Sequence, residues 1–90
     1  MDKLPKTTEL HIAVMYRLLG LCRKYDIGIS QLAKRSEVPL TTIKNILNGA
    51  SLNPGINTLN RLCGGFGITL EEFFSDEVFA EINGQNRRRQ

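Results

Sequence analysis

The chain has no tryptophan, one histidine (His11), two cysteines and three prolines among its 90 residues. Each shortage removes a class of function. Cys22 and Cys63 lie 41 positions apart and His11 is the one histidine in the chain, which is neither metal-ligand spacing nor a disulfide framework. Buried thiols are the expectation, with no metal and no cofactor. There is no phosphate loop, no nucleophile elbow and no carboxylate–histidine cluster, so the chain reads as no enzyme and implies no small-molecule substrate. No apolar stretch approaches the ~20 residues of a membrane span. The longest, Leu18 to Cys22, contains Gly20. Met1 to Lys6 is followed by no signal-type apolar segment, so the expected location is the cytoplasm, without a membrane partner. Ninety residues allow one domain.

A further absence is local. From Pro39 to Asn48 there is no acidic residue. Within this stretch Ile43, Ile46 and Leu47 have the i, i+3, i+4 spacing of one buried helix face. Leu40, Thr41, Lys44, Asn45 and Asn48 then form a stripe on the other side. Surface helices usually carry long Glu/Lys pairs, which favour the helix. Short polar and cationic side chains without acids suit a face that meets base edges and phosphates in a DNA major groove. The charge agrees. The net charge is +3, and between Arg23 and Asn48 five cations (Arg23, Lys24, Lys34, Arg35, Lys44) face only Asp26 and Glu37.

In chain order, residues 1–7 read as a flexible lead-in. A first helix is expected from about Thr8 to Tyr25, capped by Thr7 or Thr8, with Leu10, Ala13, Val14, Leu18, Leu21, Cys22 and Tyr25 on its apolar stripe. Gly28 can cap a second helix over Ile29–Ser36, and a third runs from Pro39 or Leu40 to Asn48, ended by Asn48-Gly49. After the loop 50–55, Ile56, Leu59, Leu62, Cys63 and Phe66 make a fourth helix. Its Gly64 and Gly65 suggest close packing against a neighbour. Thr69 caps a short fifth helix. The expected fold is all-α, a compact five-helix domain over residues 8–75. Residues 76–90 add a short helix, with Val78, Phe79 and Ile82 on one face, and a basic tail. That face either packs back on its own domain or pairs two subunits. Asn83 to Gln90 reads as disordered, with Arg87, Arg88 and Arg89 as a free tail or as phosphate contacts.

With L-A-K-R-S-E-V at 32–38, T-T-I-K-N-I-L-N-G at 41–49, N-P at 53–54 and F-G-I-T-L-E-E-F-F at 66–74, the chain resembles the Cro/lambda-repressor-like (XRE) helix-turn-helix family. The likeness extends from about Val14 to Phe74 and joins five elements. It implies a helix-turn-helix at the second and third helices, with the third as recognition helix. Ala33 corresponds to the small residue where those helices cross. Leu40, Thr41, Lys44 and Asn45 correspond to the base-reading side, and Asn48 to a flanking phosphate contact. Arg23, Ser30, Gln31, Lys34 and Arg35 are the remaining candidate phosphate contacts. The chain departs from the pattern at several positions. Ile29 stands where a phosphate-binding Gln is common, Glu37 where Gly is, and Leu40 where a polar reader is. Pro39 takes the cap position usual for Ser or Thr. Cys22 and Leu47 replace a frequent Arg–Glu pair with apolar packing. Glu37 in a left-handed backbone costs about 1 kcal/mol.

The expected partner is double-stranded DNA, read by a prokaryotic or phage-type transcriptional regulator that can act as a homodimer on two half-sites. The alternative is a protein-interaction module, an adaptor or antitoxin, using the same fold without DNA.

Overall fold

A computed structural model describes residues 9–87. Six α-helices follow one another: α1 Leu10–Tyr25, α2 Ile29–Ser36, α3 Leu40–Leu47, α4 Ile56–Phe66, α5 Leu70–Phe74 and α6 Ala80–Arg87, with a 3-10 turn at Glu77–Phe79 before the last. No strand occurs among the described residues, and the all-α expectation holds.

The ends of the helices follow from a few residues. The extended Glu9, and not Thr8, precedes α1, because its carbonyl accepts from both Ile12 and Ala13 N–H at 3.1 Å. The proposed caps Thr7 and Thr8 lie outside the described residues. Asp26 closes α1 in a left-handed conformation (φ 53°), which lets Ile27 N–H reach back to the Cys22 carbonyl at 3.0 Å. Ile27 is then buried. Gly67 repeats the device at the end of α4, with φ 77° and Ile68 N–H on the Cys63 carbonyl. Thr69 and Glu72 form a complete capping box at α5. The Thr69 hydroxyl accepts from Glu72 N–H at 3.0 Å, and the Glu72 carboxylate accepts from Thr69 N–H at 2.9 Å.

The core draws on every helix through α5. Ala13, Val14, Leu18 and Leu21 of α1 meet Leu32, Ile43, Ile46, Leu62, Cys63 and Phe73, all essentially without solvent contact. Leu10, Tyr25 and Ile56, expected on the same apolar stripes, are exposed instead, each being the first or last residue of its helix. α2 packs most extensively on α4, at Gly65. A Cβ there would stand 2.9 Å from Leu32 Cδ1 and 3.1 Å from Ser36 Cβ, so only glycine lets the two helices come this close. The neighbouring Gly64 has open space around it. Of the two glycines singled out by sequence, one makes the close approach.

The chain after Ser75 belongs to the same core. Val78 and Phe79 are buried, and Phe79 lies 5.0 Å from Phe74 and 6.0 Å from Phe73 between ring centroids. Of the two uses open for this face, it packs back on its own domain. The disorder expected from Asn83 onward is corrected as far as Arg87, since α6 continues to that residue. The Asp76 carboxylate accepts from Val78 N–H at 2.9 Å and starts the turn, and Ile82 packs against the core. Once a nucleus exists, each further residue adds one hydrogen bond. Arg88 and Arg89 lie outside the described residues.

Candidate nucleic-acid interface

The arrangement of α2 and α3 begins at Ser36, a buried polar residue. Its hydroxyl donates to the Leu32 carbonyl at 2.6 Å and accepts from Val38 N–H at 3.3 Å. The chain is thereby held as it leaves α2. Glu37 takes the left-handed conformation (φ 58°) that the resemblance implied, Val38 is buried, and Pro39 opens α3 in an extended conformation. Two short helices are fixed at an angle by four residues.

α3 is held by one face. Ile43 and Ile46 are fully buried, and Leu47 and Cys22 pack against the core. Both residues that replace the Arg–Glu pair are therefore in apolar surroundings. Burial raises the thiol pKa of Cys22 above its ordinary value, and that of Cys63 as well, where Arg17 opposes the shift. Both thiols are free, Cys63 buried and Cys22 half-buried. The described residues contain no group of His, Cys, Asp or Glu able to hold a metal ion.

On the other face, Thr41, Lys44, Asn45 and Asn48 are exposed along an arc of about 100°. The side chains of Thr41, Lys44 and Asn45 make no hydrogen bond or ion pair within the described chain. Asn48 is partly committed: its amide oxygen accepts from Ala50 N–H at 2.9 Å, which leaves the NH2 end to donate. Leu40 differs from its expected place on the exposed stripe. It is half-buried, because its position falls at the edge of the arc next to Leu47 rather than among the polar residues.

The other candidates are distributed over two elements. Ser30 and Gln31 are exposed in the first turn of α2, whose N-cap Gly28 supplies no side chain to the free N–H groups. Lys34 and Arg35 are exposed at the opposite end of that helix. Arg23 is exposed in the last turn of α1 and has interactions within the chain. The absence of acids is wider than α3: from Val38 to Leu70 the chain has none. Such a segment offers no repulsion to a polyanion.

Sequence reasoning missed Arg17. From α1 it donates Nε to the Phe73 carbonyl and Nη2 to the Glu72 carbonyl, both at 2.8 Å, and Nη1 to Asp76 at 3.1 Å. It lies over the Phe73 ring. It fastens the last turn of α5 to α1, and so closes the body that carries α2 and α3. The signal was present: position 17 falls on the apolar stripe between Val14 and Leu18, where a charged residue requires a partner.

No helix among the described residues is long and apolar enough to cross a membrane. Searches of curated proteins and of solved structures each gave no match. Residues 17–78 match the family model of the Cro/C1-type HTH DNA-binding domain, from the arginine that fastens α5 to the buried Val78. With more than half of its length matched, and α2, Glu37 and α3 in the required arrangement, the chain belongs to the Cro/C1-type helix-turn-helix DNA-binding family.

Proposed function

We propose that this chain is a sequence-specific double-stranded-DNA-binding transcriptional regulator of prokaryotic or phage type, working in the cytoplasm as a homodimer with α3 in the major groove. The observation that carries this reading is the asymmetry of α3. One face is locked into the core, while Thr41, Lys44 and Asn45 stand exposed and unengaged on the other. A side chain held for recognition by a rigid helix has no competing internal partner to give up.

The chemistry of the face is specific enough to use. Asn45 has the donor and acceptor for a bidentate pair with adenine N6 and N7. Thr41 and the exposed part of Leu40 present methyl groups to thymine methyls. This favours a half-site containing A·T pairs. Lys44 flanks that contact. Lys34, Arg35 and Arg23 supply phosphate attraction, with Ser30, Gln31 and the NH2 of Asn48 as hydrogen-bond donors to the backbone. Nothing in this arrangement moves a proton or forms a bond; the function is binding.

The test is fluorescence anisotropy with a labelled pool of random duplexes at several salt concentrations, comparing the wild type with Lys44→Ala/Asn45→Ala. Binding that falls steeply as salt rises, and at least tenfold weaker affinity of the double variant, is the expected result. Sequencing the retained pool then reads out the half-site. No binding even at low salt sinks the reading and leaves the protein-interaction module as the function of the fold.

A further inference from the structure

Ser36 is the one polar residue that is buried among the described residues, at 5% exposure. Neither the helical stripes nor the family likeness gives it a part. Its surroundings do. The hydroxyl donates to the Leu32 carbonyl at 2.6 Å and accepts from Val38 N–H at 3.3 Å, so it ties the end of α2 to the chain that leads into α3. Its Cβ and backbone nitrogen lie against α4 at Gly65, where a Cβ would stand 3.1 and 3.3 Å from them. α2, α4 and the turn therefore meet at one small side chain. We infer that Ser36 is a positioning residue for base reading: its hydroxyl sets the angle of α3 and with it the sequence preference, while the attraction to phosphate does not depend on it. The inference rests on the DNA-binding reading and adds to it a residue too deeply buried to reach DNA.

The turn has little else to hold it. Pro39 carries no N–H, no side chain caps α3, and Glu37 sits in a left-handed conformation that costs any residue with a side chain. Val38 N–H to Ser36 is the one side-chain hydrogen bond made by residues 37–39 among the described residues. Val38 is itself buried, so removal of the hydroxyl strands its N–H. A serine near a helix end often does no more than bond back to the carbonyl four residues earlier. The second bond, to Val38 beyond the helix, distinguishes this one. Farther along α3, Ile43 and Ile46 fix how deep the helix sits in the core. Its N-terminal end, which carries Leu40 and Thr41, takes its direction from the turn. A helix of eight residues is about 12 Å long, so a tilt of about 5° about its middle moves each end by roughly 0.5 Å. A recognition site loses its productive geometry at about that displacement. Phosphate contacts tolerate it, because Lys and Arg reach on long stems and their attraction acts through space. The hydroxyl therefore bears on the component of binding that specifies and not on the one that attracts.

The experiment uses the full chain with two probes: the duplex that the wild type enriches from a random pool, and the unselected pool itself. Ser36→Ala removes the hydroxyl without adding volume. Ser36→Thr and Ser36→Val form a second pair of equal shape, of which only threonine keeps the hydroxyl. Circular dichroism gives the folded fraction, and affinities are compared per folded molecule. Relative to wild type, Ser36→Ala is expected to bind the enriched duplex about tenfold more weakly or worse, and Ser36→Val likewise relative to Ser36→Thr. Affinity for the unselected pool should stay within about twofold, with its salt dependence unchanged. Equal affinities per folded molecule overturn the inference, since a merely structural serine changes only how much protein is folded. An equal loss on both probes overturns it too. A DNA-free readout separates the inference from the reading on which it rests. In Ser36→Ala the Val38 amide should exchange with deuterium about tenfold faster relative to that of Leu62 in the core. Unchanged exchange overturns the inference whatever the DNA result. A wild type that binds no duplex overturns the DNA-binding reading, and the inference with it.

Discussion

Two seams hold this small domain together, and they work in opposite ways. Between α2 and α4 the essential feature is a missing atom: without a Cβ at Gly65, Leu32 and Ser36 lie directly against the α4 backbone. Between α1 and α5 it is a surplus of donors, with the Arg17 guanidinium engaging two carbonyls and a carboxylate. The first seam positions the helix-turn-helix; the second closes the C-terminal third. A contact made by shape tolerates salt and pH but no added volume. A contact made by hydrogen bonds tolerates volume but loses its energy when the donor geometry changes.

The largest effect should come from filling the first seam. Gly65→Val is expected to destabilise by about 3 kcal/mol, read from the urea midpoint, because the added side chain meets Ser36 Cβ and backbone N as well as the tip of Leu32. Unchanged stability would show that the helices separate freely and that the seam is not tight. Next is Arg17→Met, which keeps the apolar stem and strands the α5 carbonyls, at a cost of about 2 kcal/mol. Arg17→Lys should recover little of it, since one ammonium cannot reproduce the fork. Full rescue by lysine would reduce the seam to a simple charge contact. Gly64→Ala should act in the opposite direction, stabilising by roughly 0.5–1 kcal/mol, since this exposed helical position meets no neighbour within 4 Å. Two adjacent glycines with opposite signs in thermal melts would sharpen the contrast; equal signs would break it. The smallest effect belongs to the turn joining α2 to α3. Glu37→Gly relieves a left-handed backbone, and a gain of about 0.5 kcal/mol remains after the greater freedom of glycine in the unfolded chain.

Much of this was legible because it is local. The boundaries of α2, α4 and α5 follow from Gly28, Gly67 and the Thr69–Glu72 box, each acting within a few residues. The division of α3 into a buried and an exposed face follows from helical period alone, and failed only for Leu40, which sits at the edge where a period of 3.6 decides nothing. What stayed hidden depends on distant partners. Arg17 could be marked as odd within its stripe, but not paired with Phe73 and Asp76. A groove lined by Leu10 and Leu52 exists only once α1 and the loop before α4 are brought together. Val78 and Phe79 had two possible uses, and the choice depended on space beside Phe73 and Phe74 that no local pattern reveals. The helical run to Arg87 was missed because polar composition was weighed without the turn that nucleates it.

The Arg17 contact has a consequence for the order in which the molecule is made. Its partners follow it by 55 to 59 positions, among the most distant hydrogen-bonded pairs in the chain. During synthesis, α1 to α4 leave the ribosome before Phe73 and Asp76 have appeared. For that interval the stripe of α1 that will become core carries a hydrated charge in its middle, which discourages it from adhering to the wrong apolar surface. The same charge becomes a fastening when the end of the chain arrives. One side chain thus serves as a guard on the nascent helix and as the clasp of the finished domain.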